Sequence, residues 1–175
     1  MDMVQHMLHD VNAWIARQGW DNLGVKIGEE FEYGPEDNLI VLPIFYNEAD
    51  NVTDTLLAQF LYEYGLDKMY IKDMYTISFL HEIGHYFTLG QFTEEEWWEY
   101  IYQQEHKMPQ ITDNYLRNFT YWELPVEFAA NMWLINWIEQ HPDEFQELQM
   151  MLDSYMQLII DSEDALAYYF SIYDE

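Results

Sequence analysis

Cysteine is absent from this sequence, and basic residues are scarce. Without a thiol there is no disulfide, no thiolate-bound zinc and no cysteine nucleophile, so any metal must be held by His, Asp or Glu. Lys and Arg number six against 33 Asp and Glu, a formal net charge of −27. No Lys or Arg follows Arg117, whereas Glu123 to Glu175 contribute twelve acids. A surface of that sign repels nucleic acid and anionic membrane and attracts basic partners. Seven Gly and five Pro are too few for a linker-rich chain. No Lys or Arg precedes Arg17, and no apolar run reaches the roughly 18 residues of a membrane span. The sequence therefore reads as a soluble, cytoplasmic protein without a secretory signal.

What is present is apolar bulk. Half of the 175 residues are hydrophobic and 18% are aromatic, enough to bury a proper core. No repeat or linker interrupts the chain, which reads as a single domain over 1–175. Val4, Met7, Leu8, Val11, Trp14 and Ile15 recur at helical spacing, and Gly19 stops that helix. Two short runs follow, VKIGEEFEY and NLIVLPIF, with a turn at Gly34–Asp37. Pro43 cannot donate to a sheet ladder, which predicts an edge position or a bulge for the second strand.

Helical grammar then resumes. Thr53 or Asp54 can cap a helix closed by Gly65, Asp73 can cap the next, and Thr93 with Glu96 forms a capping box for a helix reaching about Lys107. Pro125 and Pro142 fit the first turns of two long helices, and Ser162 can cap a last one. The fold class expected is α+β, mostly helical, with a small sheet.

Chemistry concentrates in Phe79-Leu80-His81-Glu82-Ile83-Gly84-His85-Tyr86. Positions i and i+4 of a helix share a face, so both imidazoles can reach one ion, while Glu82 sits beside it. Zinc lowers the pKa of a coordinated water towards ~7. Glu82 can accept that proton and later deliver it to a leaving amine. Two of only six histidines at this spacing, with Glu in the intervening slot, point to a metal rather than to chance. His6 and His9 also share a helix face, but no third ligand accompanies them.

A zinc site needs a third protein ligand. A histidine six residues beyond His85 is excluded, because Gln91 stands there. Glu127, Glu123, Glu105 and His106 remain. Glu127 lies among Val126, Phe128, Ala129 and Ala130, where a carboxylate is expected to be buried with partners. Its i+4 neighbour, Asn131, could hydrogen-bond a ligating imidazole. Glu123 sits one turn earlier, near Pro125, and nineteen residues separate His85 from Glu105.

His81-Glu82-Ile83-Gly84-His85 followed by Glu127-x-x-Ala130-Asn131-x-Trp133 resembles the ImmA/IrrE-type gluzincin metallopeptidases. That resemblance implies a minimal zincin fold, with Zn2+ held by His81, His85 and Glu127 and with Glu82 as general base. It also implies a protein substrate, often a transcriptional repressor. Peptide hydrolysis needs a donor for the tetrahedral oxyanion. Tyr115, Arg117, Tyr121 and His106 are candidates, and Tyr121 is preferred. The expected function is zinc-dependent hydrolysis of a peptide bond in a protein substrate, and the acidic surface favours a basic one. The alternative is an acidic DNA-mimic or inhibitor-type binding protein on the same scaffold.

Overall fold

A computed structural model describes residues 3–44 and 52–160, with the side chains of 52–55 and of Ile160 excepted. Ser162 lies outside those residues. The chain divides into two compact units, Met1–Tyr46 with Pro142–Glu175, and Asn47–His141. The described residues are mostly helical with one small sheet, so the α+β class holds. Among them no helix is long and apolar enough to cross a membrane.

In the first unit, helix α1 (Met3–Arg17) buries Val4, Met7, Val11, Trp14 and Ile15. It ends as its glycine requires. Gly19 takes φ +78°, which lets Gly19 N reach Ala16 O at 2.9 Å and Trp20 N reach Ile15 O at 3.3 Å. Strands β1 (Gly24–Gly28), β2 (Glu32–Gly34) and β3 (Leu39–Pro43) form a sheet ordered β1-β3-β2. Helix α7 (Pro142–Ile160) packs on α1 and buries Phe145, Leu148, Leu152 and Ile159. Tyr155 Oη donates to Asp10 Oδ2 at 2.6 Å across those two helices.

The sheet departs from the sequence reading in two ways. The run VKIGEEFEY is two strands rather than one, since the chain bends at the exposed Glu29 and Glu30. The first part then pairs parallel with β3 and the second antiparallel. Moreover β3 is central, not at an edge. Pro43 is accommodated because β2 pairs only with Leu39–Val41, so the proline is the last residue of β3, beyond the reach of the β2 ladder.

The second unit is helical. Helix α2 (Val52–Glu63) closes at Gly65, φ +111°, with Leu66 N on Leu61 O at 2.9 Å. Since α2 begins at Val52, Thr53 and Asp54 fall in its first turn, and their side chains lie outside the described residues. Helix α3 (Met74–Thr88) carries the two histidines. Helix α4 (Glu94–Tyr102) opens on the Thr93–Glu96 capping box and runs into a π-helical turn, Gln103–Lys107. Helix α6 (Pro125–Gln140) starts at its proline.

Helix α5 (Asn114–Trp122) has no counterpart in the sequence reading. Its cap was visible, since Asp113 accepts from Leu116 N at 2.8 Å. Apart from Leu116 and Arg117, its body is Asn, Tyr, Phe, Thr and Trp, residues of middling helix propensity. Packing decides the matter: Phe119 lies 5.4 Å from the ring of Phe60 on α2.

Candidate metal centre

Helices α3 and α6 build the centre. The Asp73 carboxylate caps α3 by accepting from Thr76 N at 3.2 Å. From Met74 to His85 every residue but the half-buried Glu82 is buried, so the imidazoles stand inside the protein. The rings of His81 and His85 are 4.6 Å apart between centroids and nearly perpendicular.

Gly84 sets the approach of α6. A Cβ added there would stand 2.6 Å from the Ala130 carbonyl oxygen and 3.0 Å from its Cα. Backbone cannot yield as a flexible side chain does. Gly84→Ala is therefore expected to destabilise the protein by about 1–3 kcal/mol. Gly90→Ala is the control, since nothing lies within 4 Å of an added Cβ there. Equal denaturant midpoints for the two variants would refute the contact as a packing constraint.

With the helices this close, Glu127 on α6 reaches both rings. Its Oε2 is 3.1 Å from His81 Nε2 and 3.4 Å from His85 Nε2. The carboxylate is 1% exposed. Asn131, one turn along α6, accepts through Oδ1 from His81 Nδ1 at 2.8 Å. That bond commits the Nδ1 hydrogen and, in the neutral ring, leaves a lone pair on Nε2. A ring lone pair and a carboxylate lone pair then face each other. Two acceptors at 3.1 Å repel unless a proton or a cation lies between them. One ligand atom from each of His81, His85 and Glu127 falls within 4.8 Å of the others, and among the described residues this is the group that could hold a metal ion. Two imidazole nitrogens and one carboxylate oxygen are a donor set that suits zinc.

No protein-family model, no curated protein and no solved structure matches the chain. The chemistry of the site therefore rests on its own atoms.

Burial works against charge at His81, but the Glu127 hydrogen bond, the charges of Glu82 and Glu127 and the Asn131 contact outweigh it, and the pKa is raised above 6.5. Burial likewise opposes ionisation of Glu127, yet the two histidines hold it below the ordinary carboxylate range. The raised imidazole adds stability to the metal-free protein below about pH 6.5 and loses it as pH climbs through the folded-state value. A bound cation needs neutral imidazole. The melting temperature of zinc-loaded protein is thus expected to exceed that of chelator-treated protein by a margin that grows from about pH 6 to about pH 8. A constant margin would contradict this linkage.

Five of the remaining sequence candidates lie away from the centre: Glu105, His106, Glu123, Tyr115 and Arg117. Glu105 and His106 are exposed on the π-helical turn, where His106 stands edge-on to Tyr102 at 4.8 Å. Glu123 is exposed and accepts from Tyr64 Oη at 3.4 Å. The Tyr115 hydroxyl meets Gln59 Nε2 at 3.0 Å, and Arg117 donates to Asn114 Oδ1 at 2.6 Å. Tyr121 is at the centre, donating to Glu127 Oε1 at 2.7 Å. Glu82, half-buried on α3, has a charge felt by both His81 and Tyr100.

Sequence reasoning missed Tyr100. Its hydroxyl donates to the same Oε1 of Glu127. Burial, then the Glu127 charge, push the phenol pKa values of Tyr100 and Tyr121 upward, so both remain protonated donors. One tyrosine among fifteen carries no local mark that would single it out.

Proposed function

We propose that this protein is a zinc-dependent peptidase of the gluzincin type, similar to the ImmA/IrrE metallopeptidases, which hydrolyses a peptide bond in a protein substrate. The observation that carries the proposal is the convergence of His81 Nε2, His85 Nε2 and Glu127 Oε2, with the half-buried Glu82 adjoining. A zinc ion bound there supplies Lewis-acid polarisation of the scissile carbonyl and acidifies water. Glu82 is the proton carrier: it takes a proton from the attacking water and returns it to the departing amine. His81 is held in one tautomer and orientation by Asn131. Tyr121 is the proposed donor to the developing oxyanion, a role in which its hydroxyl exchanges Glu127 Oε1 for a substrate oxygen.

Charge argues for a basic substrate. A groove of about 580 Å³ beside Tyr100 is lined in part by Glu95, Glu96, Trp98 and Glu99, and Trp98 is 61% exposed. Carboxylates around an aromatic face favour a cationic side chain. Zinc-loaded protein incubated with a peptide library is expected to cleave it in a chelator-reversible manner, with Lys and Arg enriched near the cut sites and with rates that fall as salt rises. Peptides left intact at every zinc concentration would count against the peptidase.

A further inference from the structure

We infer that Tyr100 is a positioning residue for Glu127: its hydroxyl, with that of Tyr121, occupies Oε1 and leaves Oε2 as the carboxylate oxygen turned towards the two imidazoles. The inference rests on the reading of His81, His85 and Glu127 as metal ligands, and it does not depend on peptide hydrolysis.

The geometry divides the carboxylate cleanly. Both histidine contacts fall on Oε2, at 3.1 and 3.4 Å. Both phenol contacts fall on Oε1. An ionised carboxylate oxygen has about two lone-pair sites, and two charge-assisted O–H donors use them. Glu127 can then offer a cation one oxygen rather than two.

Tyr100 is itself held from three sides. It is buried in a cluster with Met108, Leu124 and Val126, against which Trp97 and Tyr121 pack. The ring of Trp97 lies 5.3 Å away. Gln104, on the π-helical turn after α4, donates through Nε2 to Tyr100 Oη at 2.7 Å. With that lone pair engaged, the phenolic hydrogen is directed at Glu127.

The consequence concerns coordination number. Two imidazoles and a one-oxygen carboxylate make three protein ligands, which leaves a position for water on a four-coordinate ion. A carboxylate free to offer both oxygens would fill that position and would suit ions that prefer more oxygen ligands. Tyr100 would therefore remain as the standing donor to Oε1 whenever Tyr121 engages substrate.

The test is made on the intact protein without peptide. Zinc affinity is measured by competition with a chromogenic chelator, and coordination by the visible absorption of the Co2+-loaded form. Y100F is expected to weaken zinc binding by about 10–100-fold. Y100F/Y121F is expected to lose the intense tetrahedral Co2+ bands for the weak absorption of a higher coordination number. Tyr102→Phe, an exposed tyrosine on the same helix, should change neither. Should Y100F lose its cooperative melting transition, Gln104→Leu keeps the ring and removes only the orienting bond, and a zinc affinity several-fold weaker is expected. Wild-type zinc affinity and Co2+ spectrum in Y100F, or in Q104L where Y100F does not fold, would overturn the inference alone. Wild-type protein that binds neither ion would overturn the metal centre, and this inference with it.

Discussion

Glu82→Gln is expected to lower peptide hydrolysis by about 10²–10⁴-fold, the usual worth of a positioned proton carrier, while zinc stays bound. Glutamine matches glutamate in size and keeps the packing on α3, but its amide cannot accept a proton at neutral pH. Glu82 is not among the three converging ligand atoms, which belong to His81, His85 and Glu127. The change should therefore appear in kcat, with little movement of zinc content or melting temperature. The measurement is turnover of the best library peptide beside metal analysis of the same preparation. Unchanged turnover would remove Glu82 as the base. The same variant separates the peptidase from the acidic binding protein that a net charge of −27 also suggests. A charge mimic would keep its partner affinity with Gln at position 82, and that affinity would fall steeply with salt.

The second large effect is expected at Glu127. Glu127→Ala should lose stoichiometric zinc, because it removes the one anionic group of the three that could hold a metal ion and the acceptor that both phenols use. It should also destabilise the metal-free protein by about 3–5 kcal/mol, as breaking a buried charge pair does. That figure includes the cost of leaving the Tyr100 and Tyr121 hydroxyls without their acceptor. Glu127→Gln distinguishes the two losses. It retains a carbonyl oxygen for the phenols and discards the charge, so the fold should recover more than the zinc affinity does. Metal content by elemental analysis and stability by denaturant titration report the two quantities separately. Stoichiometric zinc in both variants would transfer the third-ligand role to Glu105 or Glu123, against their exposed positions here.

Local signals were the ones legible in the sequence. Gly19 and Gly65 ended their helices, and Asp73 and Thr93 capped theirs, because each acts on backbone groups only a few residues away. Asn131 was readable as a partner for an imidazole, since it shares a face with Glu127 by helical spacing alone. Non-local features were not legible in this way. Pro43 argued for an edge strand, yet β3 is central, because strand order depends on which segments pair and not on one residue's missing donor. Helix α5 packs Phe119 against Phe60 of α2, a contact that its own composition does not announce. Tyr100 reaches Glu127 from a different helix, 27 residues earlier in the chain.

By itself, the sequence determined that two imidazoles share a face of α3, since a helix is made by hydrogen bonds between near neighbours and its geometry is the same wherever it forms. It also determined that cysteine could take no part in holding a metal. Glu127 was already the favoured acid in the sequence, and tertiary structure decided that it, rather than Glu105 or Glu123, meets those imidazoles. Gly84 lets α6 approach until Glu127 lies between both rings, and two tyrosines from α4 and α5 take the oxygen that the rings leave unused. Such choices depend on how helices distant along the chain fit together, and side-chain volume at the contact settles that fit.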